Sequence, residues 1–415
     1  MIGLPRGVQD VMPPESKLWQ FIEKTAREVF EKYNYQEIRT PIFEFTELFI
    51  KGTGETTDIV IKEMYTFLDK KGRSLTLRPE GTPGVVRAYI MNKIYNSNVP
   101  WKVYYFGPMF RYERPQAGRY RQFYQLGVEV LGIKDPIADF EIIKIAVDFL
   151  RSLNLYKIEV EINSIGCQKC RPIYRKVLVD YFLSFKNELS EIDKERLERN
   201  PLRLLDSKDE KMMPIKERAP SALEYICKEC QEHFEKVKNY LSIANIPYKI
   251  NSKLVRGLDY YTRTVFEITT DILGAQNAIG GGGRYDNLVE AYGGPPTPGL
   301  GFAFGIERLI LLLSKTNLNL DKKKLIYLAI LEENLLNFVV DLTEKLKNKN
   351  YIIELGAPSL SLKNHLKIAD KLRAEMVIFI DSLLQERKIK VKKLNTGEEK
   401  ILSFDNILSD LEFMI

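Results

Sequence analysis

Histidine is almost missing from this chain: the 415 residues contain two, His233 and His365. Because histidine is the commonest general acid, general base and metal ligand of enzymes, any chemistry here has to run on other groups. Cysteine is scarce as well, and four in 415 residues exclude a small fold stapled by disulfides. Long apolar runs are absent. No stretch approaches the ~18 residues of a membrane span, and the opening MIGLPRGVQDVMPPES has no apolar core of the signal-sequence kind. The expectation is a cytoplasmic protein without a membrane partner. What is present, 45% hydrophobic and 28% charged residues, excludes a disordered or collagen-like chain. At ~100–200 residues per domain, the length gives two or three domains with sizeable cores. The charge balance, 62 Lys and Arg against 56 Asp and Glu, is compatible with a polyanionic partner without requiring one.

Along the chain, Leu18, Ile22, Ala26 and Val29 recur at helical spacing and predict a helix from after Pro14 to about Tyr33. The extended YQEIRTPIFE follows, then the strand SLTLRP, and Thr82-Pro83 opens a helix as N-cap hydroxyl and first-turn proline. VYYFGPMFRY and RQFYQLGVEVLG read as an antiparallel hairpin with the polar loop ERPQAGRY. From 166 to 240 the sequence turns Lys/Glu-rich and helical and holds all four cysteines, the character of an inserted module. A strand pattern returns at 254–268, followed by GGGGRYDNL and GLGFAFGIERL; residues 315–324 read as a linker. The remainder alternates strand and helix like a small α/β domain. The domains expected are therefore 1–165 and 241–320 as a split core, 166–240 as an insertion and 321–415 as a terminal domain.

Period 2 sorts the second hairpin strand: Tyr124, Leu126, Val128 and Val130 form an apolar face, and Gln125, Gly127 and Glu129 form the other. An amide and a carboxylate flanking a glycine fit the floor of a polar pocket, with Gly127 leaving room for a ligand; a solvated sheet face is the competing reading. Arg111, Glu113, Arg114, Arg119 and Arg121 crowd one turn, and arginine without lysine favours bidentate recognition of phosphate or carboxylate over a merely solvated loop. Glu80 and Thr82 sit at a strand-to-helix junction. The segment LVRGLDYYTRTVFEI carries Arg256, Tyr260 and Tyr261 among polar and charged neighbours on both faces of the expected strand, which a core strand does not explain. Glycines in the last two motifs mark close backbone approach, and Arg308 falls in the first turn of a helix.

Taken together these segments resemble class II aminoacyl-tRNA synthetases: the first helix plus YQEIRTPIFE resembles their motif 1, FRYERPQAGRYRQFYQLGVE motif 2 and GLGFAFGIERL motif 3. RPEGT and LVRGLDYYTRTVFE are similar to segments of the histidyl-tRNA synthetase family. The resemblance implies an α/β (α+β) fold: an antiparallel-sheet catalytic domain, a helical insertion, and a C-terminal mixed α/β anticodon-binding domain. It implies an ATP-dependent ligase that makes histidyl-adenylate and passes histidine to the 3' end of tRNA(His), acting as a homodimer. Arg256 and Arg111 would then be catalytic. Glu80, Gly81, Thr82, Gln125, Glu129, Tyr260 and Tyr261 would bind L-histidine, and Arg111, Glu113, Arg119 and Arg308 would bind ATP with Mg2+. Arg114 and Gln116 would lie near the acceptor end of the tRNA.

Cys167-x-x-Cys170 and Cys227-x-x-Cys230 have the spacing of a tetrahedral structural zinc site, although the interval between the pairs is longer than in zinc ribbons. Small buried residues are the competing reading, and Ser207 stands where some relatives carry another cysteine. Residues 321–415 hold 16 Lys and Arg against 15 Asp and Glu, so net charge does not mark this part for RNA. Lys388, Lys390, Lys392 and Lys393 could form a local patch or a charged strand edge. A different function, the synthetase-like regulatory subunit of ATP phosphoribosyltransferase, is disfavoured by the retained Arg111, Arg256 and Arg308 and by the terminal domain.

Overall fold

The apolar stripe at the start of the chain forms helix α1 (Glu15–Lys32), which buries Trp19, Ile22, Ala26, Val29 and Phe30. Leu18 is only partly buried, because the stripe is centred one residue further along. In this computed structural model the described residues are 2–55, 57–116, 118–207, 209–274, 277–316, 324–347, 349 and 351–414, with side chains described only to 411. They divide into two compact units, Met1–Asn317 and Leu318–Ile415. The linker expected at 315–324 lies mostly outside the described residues. Among the described residues, no helix is long and apolar enough to cross a membrane.

In the first unit, β1 (Gln36–Glu37) precedes a small antiparallel sheet of β2 (Phe43–Phe45), β3 (Tyr65–Leu68) and β4 (Ser74–Leu77). Helix α2 (Thr46–Thr53) lies between β2 and β3, and α3 (Thr82–Met91) follows β4. The hairpin strands β5 (Trp101–Phe110) and β6 (Gln122–Leu131) pair from Trp101 opposite Leu131 to Phe110 opposite Gln122. After α4 (Ile137–Ser152) and β7 (Glu159–Ser164) come the helices α5 (Cys170–Leu183), α6 (Glu191–Arg199), α7 (Met213–Arg218) and α8 (Lys228–Ile243). The unit closes with β8 (Tyr248–Ile250), β9 (Thr262–Thr269), β10 (Ala278–Arg284), α9 (Leu288–Ala291), β11 (Gly299–Gly305) and α10 (Ile306–Leu313).

Eight of these strands form one sheet in the order β1-β5-β6-β11-β10-β9-β7-β8, antiparallel except for its two parallel edge pairs. One face is apolar: Leu126, Val128 and Val130 are fully buried, and Phe302 and Phe304 meet Phe30 and Phe149 of α1 and α4, with ring centroids 5.6 Å apart for Phe149 and Phe304. Each such side chain contributes ~1.5–3 kcal/mol on burial. The alternation that sends these residues to the helices sends Gln125, Glu129, Gly301 and Ala303 to the opposite face.

Strand β9 is shorter than the sequence pattern implies. Residues 254–261 are a loop and not strand, so their polar aromatics need no two-faced sheet; the backbone curls and Arg256 folds back onto Glu267 of β9. The helical stretch after β7 has its own core, built around Tyr174, Leu178, Phe182, Leu204 and Ile215. Its last helix, α8, packs instead on α4, where His233 meets Asp139 at 3.1 Å. The other oxygen of Asp139 accepts from Arg284 Nε at 2.8 Å, and Arg284, fully buried, also reaches the carbonyls of Ile133 and Asp135. Removing one partner of such a buried pair leaves the other charge without compensation. Arg284→Ala is expected to cost about 3–5 kcal/mol of stability, read as a lower denaturation midpoint; an unchanged midpoint would show that the network is dispensable.

The second unit is a mixed five-stranded sheet. Its elements are β12 (Leu325–Ile330), α11 (Leu336–Lys347), β13 (Ile352–Gly356), α12 (Leu362–Lys371), β14 (Met376–Ile380), β15 (Lys388–Lys393), β16 (Glu399–Ser403) and α13 (Ile407–Met414). The strand order is β13-β12-β14-β15-β16. Strands β12 and β14 are buried on both faces: Ile326, Leu328 and Ile378 pack with α11, while Tyr327, Ala329 and Val377 pack with Ala369 of α12. Strand β15 is not an edge, so the edge reading of its lysines fails; Lys390 and Lys392 both pair with Glu399 on β16, at 2.7 and 2.9 Å. His365 is buried against the Tyr327 hydroxyl at 3.0 Å.

Candidate active site

The polar face of the large sheet floors a cavity of about 170 Å³. Its lining includes Glu80, Thr82, Arg111, Gln125, Glu129, Arg256, Tyr260 and Tyr261 from the sequence reading, and no histidine. The solvated-face alternative for β6 therefore fails, since Glu129 is only 1% exposed. Gly127 does not make room for a ligand, as the sequence suggested; the Tyr105 ring lies across it, and a Cβ there would sit 2.1 Å from that ring. Gly301 makes way in the same manner for the Glu129 carboxylate, and Gly281 for the Arg256 guanidinium. Close approach was legible in these glycines, but the approaching groups are the protein's own side chains. Gly81 is likewise pressed by Tyr105 and takes the N-cap position of α3, with Thr82 as the first helical residue.

The Thr82 hydroxyl does not cap that helix. It donates to Glu129 Oε1 at 2.6 Å, and Tyr285 donates to Glu129 Oε2 at 2.6 Å. Glu80 is held symmetrically, by Thr53 on Oε1 at 2.6 Å and by Tyr260 on Oε2 at 2.7 Å. Burial raises the Glu80 carboxyl above its ordinary range, the two hydroxyls pulling back against it. Burial pushes Glu129 up to about 8, with the nearby Glu80 adding to the rise. Two desolvated carboxyls that resist ionisation are stabilised as anions by a cation placed between or against them. The Tyr261 hydroxyl stays protonated, burial pushing it up to about 12, and its ring lies 4.8 Å from that of Tyr260.

Two orphaned polar atoms line the same cavity. Gln125 Oε1, an acceptor, and Arg256 Nε, a donor, are buried without a partner, and unmet groups of this kind cost free energy until a ligand pairs with them. The other end of the Arg256 guanidinium is clamped by Glu267. Arg111 donates from Nε to the Pro79 carbonyl at 2.8 Å and lies over the Phe123 ring, which leaves the rest of its fork toward the cavity it lines. Glu113 lies 3.9 Å from Arg111 and 3.4 Å from Arg119, and the loop carrying them sits on the start of α10, where a Cβ on Gly118 would touch Arg308. Burial and the charge of Arg119 both lower the Arg308 guanidinium, so the two cations are close enough to share an anion.

Sequence reasoning missed Thr53, Tyr105, Tyr285, Glu267 and Glu307. Glu307, next to Arg308, accepts from the Tyr124 amide at 2.9 Å, and burial pushes it up to about 7. Only the tyrosine in GGGGRYDNL, overshadowed by its glycines, carried a signal that could have been followed.

The four cysteines converge on one another and are not among the residues that line this cavity. Their sulfurs all lie within 4.8 Å of one another, with Cys167 3.6 Å from Cys170 and 3.9 Å from Cys227, and Cys170 3.9 Å from Cys230. A tetrahedral zinc–thiolate centre with ~2.3 Å bonds has sulfur–sulfur edges of about 3.8 Å.

A family model described as histidyl-tRNA synthetase matches residues 7–309, and one described as anticodon binding domain matches 319–413. A histidine–tRNA ligase of Dictyoglomus thermophilum is 64% identical over 407 residues, covering 98% of both chains. One of Halothermothrix orenii is 49% identical over 417 residues, covering 100% of both. Among solved structures, the apo histidyl-tRNA synthetase of S. aureus superposes with a TM-score of 0.82 at 38% identity, covering 99% of each chain.

Proposed function

Because this chain belongs to the histidyl-tRNA synthetase family, we propose that the cavity on its large sheet binds and activates histidine and that the arginine-lined cleft beside it holds ATP. The protein is an ATP-dependent aminoacyl-tRNA ligase of class II architecture, with an anticodon-binding domain at its C-terminal end. The regulatory-subunit alternative is not favoured, given 64% identity to a ligase along the full chain.

The observation that carries the assignment is charge matching. Histidine offers one carboxylate and two basic groups, an ammonium and an imidazole; the cavity offers arginines, Arg111 and Arg256, and two buried carboxyls, Glu80 and Glu129. On this reading Glu80, Gly81, Thr82 and Gln125 receive the ammonium, the orphaned Gln125 oxygen included. Glu129, with Tyr260 and Tyr261 beside it, reads the imidazole. A competitor without a polar ring leaves those buried groups unpaired, a rejection of roughly 10⁴-fold.

ATP enters as its magnesium complex, with Glu113 and Arg119 on the adenine and phosphates and Arg308 on the terminal phosphate. A histidine carboxylate oxygen attacks the α-phosphorus, a P–O bond forms to give histidyl-adenylate, and pyrophosphate leaves with the electron pair of the bond broken. The nucleophile is already ionised, so the step needs no general base. Arg111 and Arg256 stabilise the charge that builds on the α-phosphate. A hydroxyl at the 3' end of tRNA(His) then displaces AMP. Histidine-dependent exchange of labelled pyrophosphate into ATP is the expected result, and its absence in well-folded protein would falsify this reading.

Arg114 and Gln116 on the hairpin loop approach the tRNA acceptor end. The core is split as 1–165 and 241–320 around an insertion at 166–240, with 321–415 reading the anticodon. A homodimer follows from the motif 1 resemblance, and sedimentation as a monomer at working concentration overturns it. The four cysteines hold one structural zinc ion, which their near-tetrahedral sulfur spacing supports.

A further inference from the structure

The cysteine cluster touches the substrate cavity's wall through three neighbours of cysteines. Gly166, next to Cys167, accepts through its carbonyl from the Arg263 amide at 2.8 Å. Arg171, next to Cys170, donates from Nη1 to the carbonyls of Asp259 and Tyr261 at 2.9 and 3.2 Å. Glu229, next to Cys230, pairs with the Arg263 guanidinium at 2.7 Å. All three contacts fall on residues 259–263, and this segment carries Tyr260, which donates to Glu80, and Tyr261 of the cavity lining.

The segment needs holding. It is the junction of the loop with β9, and Arg263, the second residue of that strand, sits at φ +50°, a left-handed conformation that costs a residue with a side chain ~1–2 kcal/mol and survives only where neighbours enforce it. Those neighbours are the end of β7 and the first cysteine turn: Ile165, directly after β7, donates to the Arg263 carbonyl at 2.8 Å, on the other side of the same pairing as Gly166, so that the β7–β9 ladder runs on into the cysteine turn. Gly166, at φ +73°, passes so near Cys170 that a Cβ on it would lie 2.4 Å from the cysteine's own. The two turns come from opposite ends of the helical insertion, at the starts of α5 and α8, where the Cys227 amide donates to Cys170 Sγ, 57 residues away in sequence, at 3.0 Å. Four thiols alone attract weakly; a tetrahedral cation shared by four thiolates binds the turns into one body.

Resting on the zinc reading of the cysteines, we infer that this metal centre is a positioning device for the histidine pocket: it clamps Gly166, Arg171 and Glu229, which in turn hold the 259–263 segment so that Tyr260 and Tyr261 face the substrate. The metal touches no substrate, and its removal loosens histidine binding selectively. Four sulfur ligands suit zinc, and iron is the other metal of this geometry.

The full-length protein as purified is analysed for metals, then assayed by pyrophosphate exchange before and after mercurial release of the metal with chelation, and again after thiol restoration and zinc addition. About one zinc per chain is expected. Loss of the metal should raise the KM for histidine by roughly tenfold or more, the scale seen when groups supporting a site are removed. The KM for ATP should stay within about twofold, and zinc should restore the first. Should the stripped protein unfold, Arg171→Ala answers the question with zinc in place. It should keep its zinc and raise the histidine KM while leaving the ATP KM unchanged. Zinc present with a histidine KM indifferent to Arg171→Ala overturns the positioning role and leaves the zinc reading standing. No metal, iron in place of zinc, or cysteines paired as disulfides overturns the zinc reading and the inference with it.

Discussion

Arg256→Ala is expected to slow histidyl-adenylate formation by about 10³-fold, with histidine affinity falling far less, by about tenfold at most while Arg111 still faces the carboxylate, since a donor aimed at developing charge matters far more in the transition state than in the ground state. Glu267 clamps one side of the guanidinium, so the group does not reorganise as charge develops, and its buried Nε has no partner until a ligand arrives. Preorganisation of this kind lowers a barrier because no solvent needs to turn around the forming charge. Arg256→Lys should recover little, because an ammonium cannot bond Glu267 and a phosphate oxygen through one rigid fork. The check is single-turnover adenylate formation beside histidine titration. A loss in kcat and kcat/KM of equal size supports a transition-state role; a loss confined to KM assigns Arg256 to ground-state binding, and undiminished turnover removes it from the site.

Much of this site could be read where a short stretch of chain carried the pattern. Alternation along β6 separated Leu126 and Val128 from Gln125 and Glu129, because one buried face forces every second residue to the other. The run of arginines around the hairpin loop was legible for the same local reason. The partners that close the cavity were not. Tyr285 reaches Glu129 across 156 residues, Tyr260 reaches Glu80 across 180, and Thr53 reaches Glu80 across 27. Nothing in a neighbouring triplet encodes such a pairing. The loop 254–261 misled for a related reason: polar aromatics at successive positions imitate a two-faced strand when the backbone is in fact curled to bring them to one cavity. The near-absence of histidine was informative at both scales. Asp139 and Tyr327 engage the two that exist, and the cavity that receives a basic ring is built from carboxyls and hydroxyls.

Glu129→Gln should make the ligand-free protein more stable at pH 8 while weakening histidine binding by roughly 10–100-fold, the worth of one charge-assisted hydrogen bond in a buried setting. Burial, with Glu80 adding to it, pushes this carboxyl from 4.5 up to about 8 in the fold. An unfolded chain releases the proton first as pH rises, so the folded state binds more protons between those values and loses stability across that window. The loss approaches about 5 kcal/mol at pH 8 and levels off above it. Glutamine carries no such proton, and the variant's denaturation midpoint should fall less than the parent's between pH 5 and 8. Binding shows the other side of the same linkage. Near pH 7 the free enzyme holds a proton on Glu129 and free histidine has a neutral ring, so the complex forms without net proton exchange, the proton passing to the imidazole and leaving a carboxylate against a cation. Above about pH 8 the free carboxyl has lost that proton and binding must recover it, which raises the KM for histidine by up to about tenfold per pH unit. The α-amino group of histidine titrates in the same direction but does so equally for both proteins, and the comparison cancels it. Pyrophosphate exchange against histidine from pH 6 to 9 should therefore show a steeper alkaline rise for the parent than for Glu129→Gln. Parallel curves with equal KM would place the imidazole elsewhere in the cavity, with Glu80 the remaining buried carboxyl to receive it.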